Sequence, residues 1–324
     1  MSHFLTITPS RPDFTWCWFL RSLGTQGAAV ERLLYDIGVM DHSGWIDRAP
    51  SVLTKTGAPA QINFRTDSDA LCVTIDATDP ANRPDDPVSH MCHVMSSLGM
   101  TLPGSELLQI IAIAQDAGPL TYGACLEVDQ TDDQRNIRLL AELPAQPADL
   151  LSPLMPKACA ALNEIGKQMR LTMLGFDGTS GAVTLHGEIT DATRHCLPPL
   201  CDIAKVQPDF VAAAIDGLTN RIPTEPLAVD TLCFSLTTTP DSQPPQLSVF
   251  LDAQQALGRD EAISARILAC GGHRMPGYAA LLAQMDPAPP GVTHHAQIGL
   301  TARAGAVPVL SVGLAAPWQS YGYG

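Results

Sequence analysis

The chain has 324 residues, a formal net charge of −14 and a pI near 4.9, which argues against nucleic acid or an anionic membrane as its main partner. Its nine cysteines are scattered with no CxxC spacing, so reduced thiols and a cytoplasmic location are expected rather than a disulfide framework. No apolar run is long enough to cross a bilayer, and no secretory leader is legible around Trp16–Leu20.

Residues 1–25 read as a lead-in segment, and Gly27–Gly38 as a helix with Val30, Leu33, Leu34 and Ile37 on one face. A turn-rich link, His42–Pro59, precedes the first hairpin: Gln61–Arg65, a turn at Thr66–Asp69, then Ala70–Asp76. Gln61, Asn63 and Arg65 share a face opposite Ile62 and Phe64, and Cys72, Thr74 and Asp76 oppose Leu71, Val73 and Ile75. Helices are expected at Val88–Leu98 and Gly104–Ala117. A second hairpin spans Tyr122–Leu143 around Thr131–Gln134. It groups Cys125, Glu127 and Asp129 on one strand and Asn136, Arg138, Leu140 and Glu142 on the other. A joint with Pro144 and Pro147 leads to a helix at Pro156–Gln168.

The central hairpin, Leu171–Ile189, turns at Asp177–Gly181, an Asp-Gly signal flanked by apolar runs. Val183, Leu185 and Ile189 point one way there, and Thr184, His186 and Glu188 the other. Helices near Ala192–Val206, weakened by Pro198-Pro199, and Pro208–Leu218 follow. The fourth hairpin is Asp230–Thr238, a turn at Pro240–Pro245, then Gln246–Asp252; it sets Cys233, Ser235, Thr237, Ser248, Phe250 and Asp252 on the polar face. Gln254–Cys270 and Gly277–Met285 read as helices. The fifth hairpin is His294–Arg303, a turn at Ala304–Ala306, then Pro308–Ala315, with 316–324 as a tail.

Five hairpins, each oily on one side and alternating with helices, predict a single α+β domain over 1–324: a ten-stranded antiparallel β/α barrel with helices outside and a polar lumen. An open α+β sheet in two subdomains is the alternative left by the pattern.

This αββα rhythm resembles the ABBA prenyltransferases, and within them the cyanobactin peptide prenyltransferases. The likeness is clearest in GACLEVDQTDDQRNIRLLAEL (Gly123–Leu143) and LGFDGTSGAVTLHGEI (Leu174–Ile189). It extends more weakly to APAQINFRTDSDALCVTI and TLCFSLTTTPDSQPPQLSVFLDAQQAL. The resemblance implies transfer of an isoprenyl group, dimethylallyl or geranyl, from a prenyl diphosphate to a side chain of a ribosomal peptide, macrocyclic ones included. In that family the diphosphate sits on lysines and arginines with Mg²⁺, and a glutamate on the first strand assists the acceptor. That glutamate position falls on Gln61, an amide that can orient a nucleophile but not take its proton. Glu188 and Glu142 are then the proton acceptors.

The resemblance and strand parity make Arg65, Arg138 and Arg303 the diphosphate ligands. Asn63, Thr74, Leu140, His186, Ser235 and Phe250 form the prenyl or peptide pocket. Family positions that are usually basic or tyrosine fall on Ile75 or Asp76, Glu142, Phe250, Asp252 and Ser311. Parity opposes the three arginines with Asp76, Glu127, Glu142, Glu188 and Asp252, a poor balance for an anion unless Mg²⁺ bridges carboxylate and phosphate. Two readings of Arg138 stay open: a phosphate ligand, or a barrel ion pair with Glu142 or Glu127. His186 and Glu188 are equally a structural pair. His90, Cys92 and His93 read as a helix surface rather than a metal site. At most one of His294 and His295 is expected in the lumen, and Gly24–Gly27 and Gly271-Gly272 are weak phosphate loops. The function from a different class is a non-catalytic or repurposed barrel that binds a peptide or small ligand without diphosphate chemistry. The oligomeric state is not encoded legibly.

Overall fold

The ten strands predicted from alternation close on themselves. In the computed structural model, which describes residues 20–40, 51–54, 57–78, 84–144, 151–152, 155–221, 227, 229–239, 242–275, 277–285 and 293–315, the order around the barrel is β1-β10-β9-β8-β7-β6-β5-β4-β3-β2. The strands are β1 (Ala60–Arg65), β2 (Ser68–Ile75), β3 (Ala124–Gln130), β4 (Arg135–Glu142), β5 (Met169–Asp177), β6 (Val183–Thr190), β7 (Thr231–Thr239), β8 (Ser242–Asp252), β9 (His295–Ala302) and β10 (Val309–Ala315). All neighbours are antiparallel, and β1 meets β10 with Gln61 opposite Ala315 and Arg65 opposite Ser311. Closure removes the free edges that an open sheet would have to protect. The lead-in before residue 20, the link residues 42–50, Pro147, the turn tip at 240–241 and the tail 316–324 lie outside the described residues.

Helices supply the cover that the outer faces require. They are α1 (Gly24–Asp36), α2 (Pro87–Ser97), α3 (Ser105–Asp116), α4 (Pro156–Ile165), α5 (Leu197–Ala204), α6 (Pro208–Thr219), α7 (Ala253–Leu257), α8 (Asp260–Ala269) and α9 (Tyr278–Leu282). Ile62, Val73, Leu126, Leu139, Leu185, Leu236 and Ile298 point outward and are fully buried under them, so the core is the ring between barrel and helices. Among the described residues no helix is long and apolar enough to cross a membrane.

Of the boundaries that differ from expectation, three have a clear local reason. The expected helix Ala192–Val206 begins at Leu197, after a 3₁₀ turn at Arg194–Cys196, and its Pro pair falls in the first turn, where a missing N–H costs nothing. Gln254–Cys270 divides into α7 and α8 at Gly258, whose φ of 89° ends a helix. The expected turn Pro240–Pro245 is largely strand. β8 runs from Ser242, and the register shift between Thr237 and Thr239 accommodates prolines that cannot donate to the ladder.

Outside the lumen, α8 and α9 dock on β9 through one buried polar chain. Asp260 accepts the backbone N–H groups of His294 (3.0 Å) and His295 (3.2 Å) and pairs with His295 Nδ1 at 2.5 Å. His295 Nε2 lies 2.8 Å from the Tyr278 hydroxyl, so neither histidine of the expected pair lines the lumen. Burial alone would raise the pKa of Asp260, but these hydrogen bonds hold it below the ordinary value of 3.8. A depressed folded-state pKa contributes stability that is present above the unfolded pKa and lost as pH falls through the folded one. Asp260→Ala is therefore expected to cost about 1–3 kcal/mol at neutral pH. The gap to the parent should narrow below about pH 4, read by urea unfolding at both pH values; a pH-independent gap would count against the carboxylate's role.

Candidate active site

Parity delivers one polar wall to the inside of the barrel, around a cavity of about 370 Å³, a size suited to a small organic ligand. Gln61, Asn63, Thr74, Leu140, His186, Ser235 and Phe250 all line it, as do Arg65, Arg138 and Glu188. Glu142 and Arg303 do not. Glu142, at the end of β4, accepts the backbone N–H groups of Thr121 (2.9 and 3.0 Å), Tyr122 (2.9 Å) and Gly123 (2.8 Å). Its oxygens fasten the loop before β3, so this carboxylate is drawn out of the lumen by a local demand for acceptors. Arg303 lies just past β9 in solvent and donates to Gln246 Oε1 at 2.5 Å.

Two other carboxylates counted inward by parity are also engaged at strand ends. Asp76, fully buried, accepts from Ser51 Oγ (2.6 Å) and from the backbone and hydroxyl of Thr78 (3.1 and 2.7 Å). Asp252 caps α7 through the N–H of Gln255. The Ser51 turn held by Asp76 brings Val52 and Leu53 to the cavity wall, a contribution hidden in the link because two isolated apolar residues carry no periodicity. Cys125, grouped with Glu127 by alternation, lines the cavity as expected, and Tyr122, Gln246, Gln297 and Thr301 line it too; the same alternation that located Glu127 and Ser248 would have found the last three.

Charge is concentrated on β3, β4 and β5. Arg138 Nη1 donates to Glu127 and Nη2 to Asp129, and Nε lies 3.3 Å from Asp177 Oδ2. Every nitrogen of this guanidinium thus faces its own carboxylate. Asp177 is fixed in turn by the N–H groups of Thr179 (3.0 Å) and Ser180 (2.7 Å) and by Asn136 (2.5 Å). Burial would raise its pKa, but those bonds keep it below the ordinary range. The ion-pair reading of Arg138 therefore describes its contacts, with Glu127 rather than Glu142 as partner.

The remaining lumen groups are nearly neutral. Among the described residues no strand carries a lysine. Arg65 is a third exposed, its Nε is enclosed without a hydrogen-bond partner, and the nearest carboxylate, Asp67, is 3.6 Å away. Glu188 pairs with the exposed Arg170 at 2.9 Å. Burial, then the charge of Arg138, pushes the His186 pKa down to about 4, so the imidazole is neutral at pH 7, with Nε2 enclosed and unpartnered. Burial, reinforced by Asp129, pushes the Cys72 thiol up to about 12, and burial followed by Glu188 and Asp252 takes Cys233 to about 11. Neither is a thiolate nucleophile at neutral pH.

A directional amide chain crosses β1 and β2. Gln61 Nε2 donates to Asn63 Oδ1 (2.7 Å), and Asn63 Nδ2 donates to Thr74 Oγ1 (3.1 Å). It lies over Gly313, where an added Cβ would come within 2.4 Å of Gln61 Nε2. The opposite half of the wall is hydroxyl-rich: Thr184 and Thr237 are 3.0 Å apart, and Ser248 and Thr301 2.8 Å.

Metal fit can be tested on the same groups. Ligand atoms of Cys72, Glu127 and Asp129 all lie within 4.8 Å of one another, but Arg138 already holds both carboxylates. With the guanidinium seated there, these residues do not fit Mg²⁺. His90 and His93 lie exposed on α2, as expected for a helix surface.

No protein-family model matches the chain, and no curated protein sequence matches it. Solved structures do. A 5-dimethylallyltryptophan synthase from Streptomyces coelicolor superimposes with a TM-score of 0.72 at 14% identity, over 95% of this chain and 98% of that one. A 6-dimethylallyltryptophan synthase from Micromonospora olivasterospora, in complex with DMASPP and Trp, gives 0.70 at 14% identity over 93% and 94%. The prenyltransferase PriB, in a binary complex with product diphosphate, gives 0.70 at 12% identity over 93% and 96%. The chain therefore has the ABBA prenyltransferase barrel over nearly its whole length, and at these identities the likeness is one of fold.

Proposed function

We propose that the barrel transfers an isoprenyl group from a prenyl diphosphate to an acceptor side chain held in the lumen. The observation that carries this reading is Arg65, a guanidinium on the wall of a cavity of about 370 Å³ whose enclosed Nε makes no hydrogen bond and has only the exposed Asp67 beside it, at 3.6 Å. The solved structures with this fold include proteins crystallised with prenyl thiolodiphosphate, diphosphate and tryptophan, which supports the same reaction class. The acceptor, by the sequence resemblance, is a side chain of a ribosomal peptide, linear or macrocyclic.

In this reading the allylic C–O bond breaks and the diphosphate leaves with the electron pair toward Arg65. The acceptor attacks the allylic carbon, and its proton passes to Glu188. Gln61 orients the acceptor. Phe250 and the neutral His186 line the cavity, and an aromatic ring such as that of Phe250 favours a developing cation.

A second reading, a barrel that binds a ligand without ionising it, has its own support. The hydroxyl wall of Thr184, Thr237, Ser248 and Thr301 would capture an allylic cation, and Arg138 is committed to carboxylates. Calorimetric titration with dimethylallyl diphosphate, with and without Mg²⁺, separates the two. Binding is expected, and Arg65→Ala should weaken it by about 1.5–3 kcal/mol, the range for hydrogen bonds to charged groups. Absence of heat at millimolar ligand would remove the enzyme reading and leave the second.

A further inference from the structure

The cavity wall changes character past β6. On β3 and β4 it carries Glu127 and Arg138, whereas every cavity-lining side chain of β7, β8 and β9 is uncharged. Two pairs of hydroxyls there answer one another, Thr184 with Thr237 at 3.0 Å and Ser248 with Thr301 at 2.8 Å. His186 and Ser235 lie between those pairs, directly opposite each other across β6 and β7. Ser235 is 5% exposed and lines the cavity, and its hydroxyl makes no hydrogen bond to any described residue. The His186 ring is partly open to the same cavity, and its Nε2 has no partner either. Polar groups this well covered normally have one. A hydroxyl both donates and accepts, and a neutral imidazole has one nitrogen for each. Two such groups, opposed across an antiparallel pair and therefore about 5 Å apart at Cβ, suit a ligand that presents a donor and an acceptor side by side.

We propose that His186 and Ser235 take the backbone of the acceptor, the N–H and C=O of one residue, so that the lumen admits an amino acid built into a peptide and excludes the free amino acid. The proposal rests on the prenyl-transfer reading for calling this ligand the acceptor, and adds the form in which the acceptor arrives. One residue of an extended peptide presents its N–H and C=O on the same side, which is how antiparallel strands exchange two bonds. A free amino acid carries an ammonium and a carboxylate instead, and burying those charges without partners is strongly unfavourable. The wall has no charge to offer them. Burial and the charge of Arg138 keep the imidazole neutral, and Glu188, the nearest carboxylate along β6, is paired with Arg170.

Calorimetric titration without any prenyl donor tests this, using the N-acetyl N-methylamides of tryptophan, tyrosine and histidine against the same amino acids free. At least one capped derivative is expected to bind about tenfold or more tightly than its free form. Ser235→Ala, which removes one hydroxyl, should erase most of that preference, and Ser235→Thr should keep it. His186→Leu should act as Ser235→Ala does, and His186→Gln, which still donates and accepts, should restore part of the preference. Urea unfolding checks that each variant folds. Equal or tighter binding of the free amino acids overturns the inference. So does a preference that survives both Ser235→Ala and His186→Leu, or the absence of binding by every capped derivative at millimolar concentration. A protein that binds dimethylallyl diphosphate but shows no preference for capped ligands loses this inference and keeps the reaction. One that shows the preference but binds no diphosphate keeps the pair as a peptide site and loses the reaction.

Discussion

Arg138→Ala is expected to destabilise the barrel by about 3 kcal/mol, the lower end of the range for breaking a buried ion pair. The lower end applies because the guanidinium remains a quarter exposed. The loss comes mainly from what is left behind. Glu127, Asp129 and Asp177 would face one another without a cation, in a lumen where among the described residues no strand lysine could replace it. Protonation relieves that repulsion, so the deficit should shrink as pH drops into the carboxylate range near 4. Urea unfolding of parent and variant at pH 7 and pH 4.5 measures both effects. Equal stability at pH 7 would mean that the carboxylates do not hold the guanidinium in solution and that it is free for an anionic ligand. The same substitution should disturb diphosphate affinity less than Arg65→Ala does, since Arg138 is held by three carboxylates whereas Arg65 has a single long ion pair with Asp67.

The contrast between these two arginines shows how far alternation reaches. The face of each strand was readable, because a period of two leaves little choice once one side is oil. Gln61, Arg138, His186 and Glu188 therefore share a cavity as their spacing requires. What a side chain does on reaching that face depends on neighbours that alternation does not rank. Asp177 belongs to the Asp-Gly turn and was legible only as a turn residue, yet it completes the hold on Arg138. Glu142 and Asp76 have inward parity but sit at strand ends, where loop N–H and hydroxyl groups need acceptors. Arg303 is one residue beyond β9, so its parity has no strand to act on. Val52 and Leu53 enter from a loop whose placement follows from the Asp76–Ser51 bond, a contact between residues 25 apart in sequence.

Gln61→Glu is expected to change the rate by about a hundredfold or more if this position meets the acceptor, the scale of general-base assistance. The substitution should fold, for a specific reason. Gln61 now donates to Asn63 Oδ1, which a carboxylate cannot do. Rotating the Asn63 amide by half a turn lets its nitrogen donate to the new carboxylate while the Thr74 hydroxyl donates to its oxygen. The chain of hydrogen bonds is then preserved with its direction reversed. Over Gly313 there is no Cβ to obstruct the movement. A carboxylate here would also add charge to a wall on which His186 is neutral, so its proton affinity is set by burial and by Arg65, the arginine of that wall that is only loosely paired. A phenol acceptor, which needs its proton removed as carbon–oxygen bond formation proceeds, should turn over faster in the variant. An acceptor held through an amide hydrogen bond should turn over more slowly. Single-turnover rates with tyrosine-, tryptophan- and histidine-containing peptides distinguish these cases, with urea unfolding as the control for the reversed chain. Identical rates for all three acceptors would mean that Gln61 touches none of them and that its part in the lumen is to hold Asn63 and Thr74 in register.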